Sequence, residues 1–294
     1  MKKKFLHIFD IYKDLKNEIY KDKSILNLSF DENKKKILDK NFSWSLNVKE
    51  TFKDFEVIQL ISNDLFLQKK WCRENGLIKD LTLENILYKQ IVKENPDIIF
   101  FQNTHFLSKI FDKIKRFKFF FYDGTGENNI KIAKDSVGVL TCLKKSMIFY
   151  KKNEIKSLYM PHSFNKKILE KIKVKNFSSR KYDLVYSGSI DNKGHFNRVI
   201  FLNKIAQEFN IRLYISDSRS YLKIILLIFY FFLTKGFTKT FDYIFSLNNL
   251  KKKSLSPVYG NEMYNVLANS KISINFHIEN TKNEAANMRL FEVL

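Results

Sequence analysis

The chain has 294 residues, of which 45% are hydrophobic, and it contains only three prolines and eight glycines. This length exceeds the usual size of one domain, so we expect two domains with packed cores, and the composition excludes a collagen-like or largely disordered protein. The formal net charge is +21, which raises the question of an anionic partner.

The type of basic residue decides between two such partners. Only seven of the 52 basic residues are arginine. Arginine is the residue that reads bases and phosphates through paired hydrogen bonds. The charge therefore favours solvated lysine faces and attraction to an anionic membrane surface, and we expect no nucleic-acid partner.

Two further features indicate the compartment. Cys72 and Cys142 are too few and too far apart for a metal site or a disulfide framework, so a reducing compartment is expected. The basic start of the chain leads into an apolar run that ends at Asp10, so it does not have the pattern of a secretory signal. We predict a cytoplasmic protein, and peripheral attachment to the inner face of the cell membrane is an open alternative.

Strands alternate with helices through the first half of the chain. The Lys-rich stretch up to about residue 55 fits a strand or a helix. Helices are predicted over 64–75 and 81–95, the first ending at Gly76. Strands that are apolar on both faces and alternate with helices are typical of a parallel sheet covered on both sides. The predicted strands are Lys53–Ser62, Pro96–Thr104, Lys118–Gly126 and Val137–Cys142.

The first half contains one glycine pair near the end of a strand, in Asp123–Gly126. It lacks the three-glycine spacing of a dinucleotide-binding fingerprint, so we interpret it as a tight turn. The stretch Ile155–Leu169 predicts a strand followed by a connection. We place the domain boundary there, which gives an N-terminal domain over 1–170 and a C-terminal domain over 171–294.

The second half begins again with a strand, a loop, a helix and a strand. The two strands are predicted over Tyr182–Tyr186 and Ile211–Ile215. Glycines in the intervening loop, Gly188 among them, either bring the backbone close to a phosphate or only satisfy turn geometry. Side chains at the start of the helix offer hydrogen-bond donors to such a phosphate, namely Lys193, His195 and Arg198.

An apolar segment follows. Its uninterrupted run, Ile224–Leu233, has ten residues, about half the length needed to cross a bilayer. We therefore predict no membrane span. Two interpretations stay open, a buried helix or an interfacial anchor supported by Lys223, Lys235, Lys239 and the Lys251–Lys253 cluster.

The end of the chain carries the sharpest pattern. A strand over Ser270–Ile278 precedes a predicted helix within Asn283–Glu292, whose first turn would present free N–H groups where open α/β sheets bind phosphorylated ligands. Glu284 and Glu292 stand eight positions apart with Arg289 between them. A carboxylate accepts both hydroxyls of a vicinal diol. Arg289 is expected either to bind a diphosphate or to form an ion pair with Glu292.

Several of these segments resemble a known family. Residues 182–198, 257–280 and 283–292 are similar to the carboxy-terminal half of the CgeB-like bacterial glycosyltransferases, group 1-related enzymes of GT-B fold. The upstream stretches WCRENG, NPDIIFFQN and YMPHSFNKKIL resemble their amino-terminal half. The resemblance covers most of the chain from about Val57. It implies an α/β protein with two Rossmann-like parallel-sheet domains, the second holding a nucleotide-sugar donor and the first an acceptor, without a metal ion or another cofactor.

The resemblance also implies site residues. Glu284 and Glu292 match a paired-glutamate motif, so Glu292 would bind the ribose hydroxyls and Glu284 would lie near the donor sugar as a catalytic residue. An inverting enzyme needs a general base in the first domain, for which Asp123 and His105, and also His162, have suitable positions. The other residues expected to bind the donor are Gly188, Ser189, Arg198, His277, Asn287 and Arg289.

These patterns predict a metal-independent glycosyltransferase that moves a sugar from a nucleotide-sugar donor to a cell-surface glycan, a lipid-linked acceptor or a protein. A noncatalytic or degenerate nucleotide-binding protein of the same fold is the alternative, and a basic nucleic-acid-binding protein is a weaker one. Family members continue past the second glutamate into a further strand and helices, whereas this chain stops at Leu294. We therefore expect a truncated second domain.

Overall fold

The computed structural model describes residues 2–40, 48–77, 81–126, 128–162, 164, 168–191, 195–217, 219–276 and 284. The chain divides into two compact units. The first spans Met1–Asn165 and also includes Glu284, and the second spans Lys166–Asn283. Each unit is built on its own parallel sheet.

The sheet of the first unit has six strands, which are β1 Lys3–Phe9, β2 Phe55–Ile61, β3 Ile98–Phe101, β4 Phe119–Asp123, β5 Gly138–Thr141 and β6 Ser157–Tyr159. Their order is β2-β1-β3-β4-β5-β6, and all neighbours are parallel. The chain moves outward from β1 to β2 and then crosses back to β3, so the order reverses between β1 and β3. This is the order of a doubly wound open sheet.

Eight helices connect these strands within the described residues, and their bounds are α1 Lys13–Ile19, α2 Phe30–Lys40, α3 Val48–Thr51, α4 Leu65–Glu74, α5 Leu83–Glu94, α6 Thr104–Ile114, α7 Ile130–Lys134 and α8 Lys144–Lys152. Successive residues of β1 enter different apolar clusters. Leu6 and Ile8 pack in the cluster that includes α5 and α6, whereas Phe5 packs in a second cluster with Phe100. The sheet is thus apolar on both faces, as its parallel strands require.

The two helices between β2 and β3 end as the sequence predicts. Gly76 has φ +67° and donates its N–H to the oxygen of Arg73, while Leu77 donates to Cys72, which together form a Schellman motif after α4. The helix α5 ends at Asn95, which has φ 45° and directly precedes Pro96. A left-handed residue ends each helix, and Pro96 follows it only at the end of α5.

The N-terminal stretch, whose character the sequence left open, forms α1, α2 and α3 after an opening strand, β1. This strand pairs with β2 along its whole length and with β3 on its other side. His7 is fully buried in it, with Nε2 3.1 Å from Gln102 Oε1 and Nδ1 3.2 Å from Gln59 Nε2. The two amides satisfy both ring nitrogens, which is why a histidine is accommodated among apolar residues.

In the second unit the described residues form three parallel strands, in the order β8-β7-β9. They are β7 Tyr182–Ser189, β8 Ile211–Ser216 and β9 Ser270–Ile274. Its helices are α9 Phe196–Glu208, α10 Tyr221–Lys235, α11 Phe237–Lys253 and α12 Gly260–Ala268. The prediction that Gly188 and Ser189 belong to a loop is wrong. Both are the last residues of β7 and pair with Ile215 and Ser216 of β8, because the ladder continues past Tyr186.

The apolar segment forms α10, and the structure excludes one of its two interpretations. Phe231 is the only buried residue of this helix, so an ordinary buried helix is the wrong description. Among the residues that the structure describes, no helix has the length and apolarity needed to cross a membrane. The predicted α/β class, with Rossmann-like parallel sheets in two units, is confirmed.

Candidate functional site

The order of the second sheet creates a switch point between β7 and β9. From β7 the chain passes through α9 to β8 on one side, and it later returns past β7 to form β9 on the other. The carboxyl ends of β7 and β9 therefore diverge beyond the last paired residues, Tyr186 and Ile274. Open α/β sheets bind ligands at this kind of crevice.

Arg198 bridges the switch point. Its side chain starts from the first turn of α9, and the residue is 8% exposed. Nη1 donates to the main-chain oxygen of Ser189, at the end of β7, at 2.8 Å, and Nη2 donates to that of Phe276, after β9, at 3.0 Å. Within the described residues Arg198 has no ion-pair partner, and its buried Nε has no hydrogen-bond partner. The crevice therefore contains a positive charge that main-chain oxygens orient without neutralising it.

The glycine at this strand end permits close packing. A Cβ on Gly188 would lie 2.7 Å from the Tyr186 hydroxyl oxygen, so any other residue would displace that ring. The Tyr186 hydroxyl folds back to donate to the Ser189 oxygen at 3.1 Å. The same oxygen accepts from Arg198, so Gly188 allows two donors to converge on Ser189.

His195 lies just before α9 and is buried. Burial, followed by the positive charges of Arg198 and Arg219, lowers its pKa from the ordinary 6.5 to about 3. The ring is therefore neutral at physiological pH and adds no positive charge to that of Arg198. Its predicted contribution to anion binding is limited to a neutral N–H donor.

A second guanidinium in this unit is fully paired. Arg219 Nε and Nη2 donate to the two oxygens of Asp217 at 2.7 and 2.9 Å, and Nη1 donates to the Tyr243 hydroxyl at 2.9 Å. Although burial raises the pKa of Asp217, the hydrogen bonds from Arg219 hold it below its ordinary value. Sequence reasoning missed this pair. The signal available was a carboxylate directly after the apolar strand β8 with an arginine two positions later.

In the first unit, Asp123 closes the turn after β4. Its carboxylate accepts from the N–H groups of Thr125 at 3.2 Å, Gly126 at 2.9 Å and Asn128 at 3.2 Å, and from the hydroxyl of Tyr150 at 2.9 Å. The residue is buried, and Gly126 has φ +73°. The interpretation of this stretch as a tight turn is confirmed.

The two histidines considered as bases have different surroundings. His105 is exposed in the first turn of α6, and its ring meets the edge of Phe106 with centroids 5.3 Å apart. His162 is half-buried, and its Nε2 lies 3.5 Å from the hydroxyl of Tyr122. His105 follows β3, and Asp123 is the last residue of the neighbouring strand β4, so both lie at the carboxyl edge of the first sheet.

Glu284 groups with the first unit and caps α8. One carboxylate oxygen accepts from the N–H of Lys144 at 2.5 Å and the other from that of Lys145 at 3.1 Å. The residue before the helix, Leu143, provides no side-chain cap, so Glu284 satisfies donors that α8 would otherwise leave unpaired. The other predicted residues of this region, His277, Asn287, Arg289 and Glu292, lie outside the described residues, as do Lys193 and Gly194.

No protein-family model and no curated protein matches the chain. Among solved structures, it is similar to a putative UDP-N-acetylglucosamine 2-epimerase from Listeria monocytogenes, with 11% identity, a TM-score of 0.46 and coverage of 93% of this chain and 74% of that one. The UDP-N-acetylglucosamine 2-epimerase from Rickettsia bellii gives 13% identity, a TM-score of 0.46 and the same coverage, 93% and 74%. A glycosyltransferase from Rickettsia africae gives 13% identity, a TM-score of 0.37 and coverage of 92% of this chain and 72% of that one. Similarity at this level carries no conclusion about activity.

Proposed function

We propose that the chain binds a nucleotide-diphosphate sugar at the carboxyl edge of the second sheet and transfers the sugar to an acceptor hydroxyl. The acceptor class is a cell-surface glycan, a lipid-linked glycan or a protein. The observation that carries the proposal is the buried guanidinium of Arg198 at the switch point between β7 and β9.

The chemistry requires positive charge at that place. When the bond between the sugar and the diphosphate breaks, negative charge develops on the leaving phosphate and must be stabilised. Arg198 supplies a fixed charge within the first turn of α9, where the helix dipole also favours an anion. Among the described residues this buried charge has no carboxylate partner, and a buried charge is costly unless it is paired, so an anionic ligand is a natural complement of this crevice.

The remaining roles rest on the sequence resemblance. In this proposal Glu292 accepts hydrogen bonds from the ribose hydroxyls, and Arg289 and Asn287 contact the donor beside it. His277 follows β9 in sequence and belongs to the same group. Glu284 is the proposed residue near the donor sugar, although the contacts described above give it a separate role at α8.

The test is the melting temperature of the full chain with UDP, GDP, ADP or CMP at millimolar concentration. Binding at 100 times Kd stabilises the folded state by about 2.7 kcal/mol, a shift of several degrees. We expect one nucleotide to raise the melting temperature and Glu292→Ala to remove the increase. The matched control Glu208→Ala removes an exposed carboxylate from α9 and should leave the increase intact. No shift with any of the four nucleotides would refute donor binding.

A noncatalytic nucleotide-binding protein is the second candidate, and Asp123 favours it. The carboxylate of this proposed base already accepts four hydrogen bonds from its own turn and from Tyr150. Incubation with a nucleotide sugar separates the two candidates once the nucleotide is known. Binding without transfer to an acceptor and without donor hydrolysis would identify the noncatalytic protein.

A further inference from the structure

The helix α10 is apolar on two opposite sides. Ile224, Leu227 and Phe231 face the core of the second unit, where Phe231 packs against Phe196 and Tyr243. A surface helix of a globular protein is normally polar on its outer side. The outer side of α10 is instead a stripe of large apolar residues at helical spacing, namely Leu222, Leu226, Phe229 and Leu233.

This stripe is exposed to solvent and continues onto α11. Its four members are between 59% and 72% exposed. On α11 a second stripe, Phe237, Phe241 and Phe245, is between 50% and 68% exposed. Phe232 joins the two helices, with ring centroids 5.4 Å from Phe237 and 5.9 Å from Phe241. The seven exposed residues of the two stripes are called the apolar face below.

The apolar face is large for a monomer. If a large apolar side chain covers roughly 200 Å² when fully buried, these seven side chains expose on the order of 800 Å². The largest apolar patch on a typical monomer is about 300–600 Å². An occupant that covers this face is therefore expected.

Charge indicates which occupant fits. The exposed lysines of these two helices include Lys223, Lys235, Lys239 and Lys252. Between Arg219 and Lys253 the sequence contains one acidic residue, Asp242. A two-fold contact with a second copy would bring together two surfaces that each carry these lysines and a single acidic residue, so like charges would repel. The surface of an anionic bilayer complements both features, because its acyl region accommodates apolar side chains and its headgroups attract lysines.

We propose that the apolar face of α10 and α11 docks onto an anionic lipid bilayer. The outer stripe of α10 enters the boundary between headgroups and acyl chains, and exposed lysines of the two helices contact the headgroups. Gly236, with φ +84° and open space around its Cβ position, joins the two helices and lets both stripes reach one surface. This inference does not depend on the proposed sugar transfer.

Flotation of the full chain with vesicles tests the proposal. Vesicles of phosphatidylcholine are compared with vesicles that also contain phosphatidylglycerol, at low and high salt. We expect binding to the anionic vesicles that weakens as salt increases. The triple variant Leu226→Ser, Phe229→Ser, Phe241→Ser should bind at least tenfold more weakly. Because these residues are largely exposed, the variant should keep the circular dichroism and melting temperature of the parent.

Two matched controls make the result specific. The triple variant Val174→Ser, Phe177→Ser, Phe209→Ser changes equally exposed apolar residues elsewhere in the same unit and should bind like the parent. Replacing Lys223, Lys239 and Lys252 with Gln should weaken binding by up to roughly 100-fold, at about fivefold per lysine. The same change at three exposed lysines of the first unit should have little effect, and those lysines are Lys35, Lys89 and Lys152.

Three results would overturn the proposal. The first is equal binding to neutral and anionic vesicles, or no binding to either. The second is undiminished binding of the variant with three serines on the apolar face. The third is a parent protein that sediments as a dimer and becomes monomeric in that variant, which would identify a second copy as the occupant.

Discussion

Arg198 Nη2 donates to the main-chain oxygen of Phe276, 78 positions later in the chain, at 3.0 Å. This bond connects the start of α9 with the exit of β9 at the point where β9 no longer pairs with β7. The companion bond from Nη1 to Ser189 ties the exit of β7 to the same guanidinium. One side chain thus links the ends of the two strands beyond their last paired residues.

Replacing Arg198 should therefore affect stability and ligand binding together. Arg198→Met removes two charge-assisted hydrogen bonds, and we expect the free energy of unfolding in urea to fall by about 3 kcal/mol. Arg198→Lys keeps the charge but loses the planar fork, so it should retain part of the nucleotide-induced increase in melting temperature. The exposed Arg212→Met is the control and should change stability by less than about 0.5 kcal/mol. An Arg198→Met variant as stable as the parent would contradict the bridging role.

Two buried histidines should make stability depend on pH. Burial lowers the pKa of His7 and of His195 to about 3. In the unfolded chain each imidazole gains a proton near pH 6.5, whereas in the folded chain each stays neutral down to about pH 3. In this interval the unfolded state therefore binds more protons than the folded state. The free energy of unfolding keeps the full contribution of these histidines above pH 6.5 and decreases as the pH falls below it.

The expected size of this effect is about 2 kcal/mol per histidine between pH 7 and pH 5. Urea unfolding of the parent and of His195→Gln at both pH values measures it, because the variant should lose about 2 kcal/mol less over that interval. The control is the exposed His105→Gln, which should follow the parent. If His195→Gln shows the same pH dependence as the parent, His195 is not the neutral buried group described above.

The turn after β4 should depend on one hydroxyl. Tyr150 is fully buried and donates to Asp123 Oδ2 at 2.9 Å. Tyr150→Phe should reduce the free energy of unfolding by about 2 kcal/mol, since the lost hydrogen bond is to a charged group. The exposed Tyr159→Phe should have no effect beyond about 0.5 kcal/mol. Equal stability of the two variants would show that the Asp123 carboxylate does not need this donor.

Glu284 allows a direct choice between a structural and a catalytic role. As the cap of α8 it should contribute about 1 kcal/mol, so Glu284→Ala should lower stability by this amount in urea unfolding. Glu170→Ala, which also removes an exposed carboxylate, is the matched control. Loss of transfer activity by 100-fold or more in Glu284→Gln with unchanged stability would instead assign Glu284 to the reaction.

Local chemistry made much of the fold predictable. The strands β2 to β5 are short apolar runs, and the helices between β2 and β3 end at Gly76 and at Asn95 before Pro96. These signals need only near neighbours in sequence. The sequence left β1 undecided between strand and helix because its lysines and His7 do not have a clear period. The burial of His7 depends on Gln59 and Gln102, which are distant in sequence.

The candidate site was less predictable for the same physical reason. The sequence places Arg198 at the start of a helix, but its second acceptor belongs to Phe276, which no local pattern connects with it. Likewise, the cap that Glu284 provides for α8 joins segments 140 positions apart. Residue type indicated the chemistry of these groups, whereas their partners are set by the topology of the chain.

The internal position of β1 has a consequence for synthesis. Among the strands of this sheet β1 is translated first, yet its partners β2 and β3 follow only at Phe55–Ile61 and Ile98–Phe101. Until Phe101 has been translated, the nascent chain carries an apolar strand with at least one unpaired edge, a state prone to aggregation. Nascent chains released before this point should therefore depend on chaperones, and those released after β6 should not.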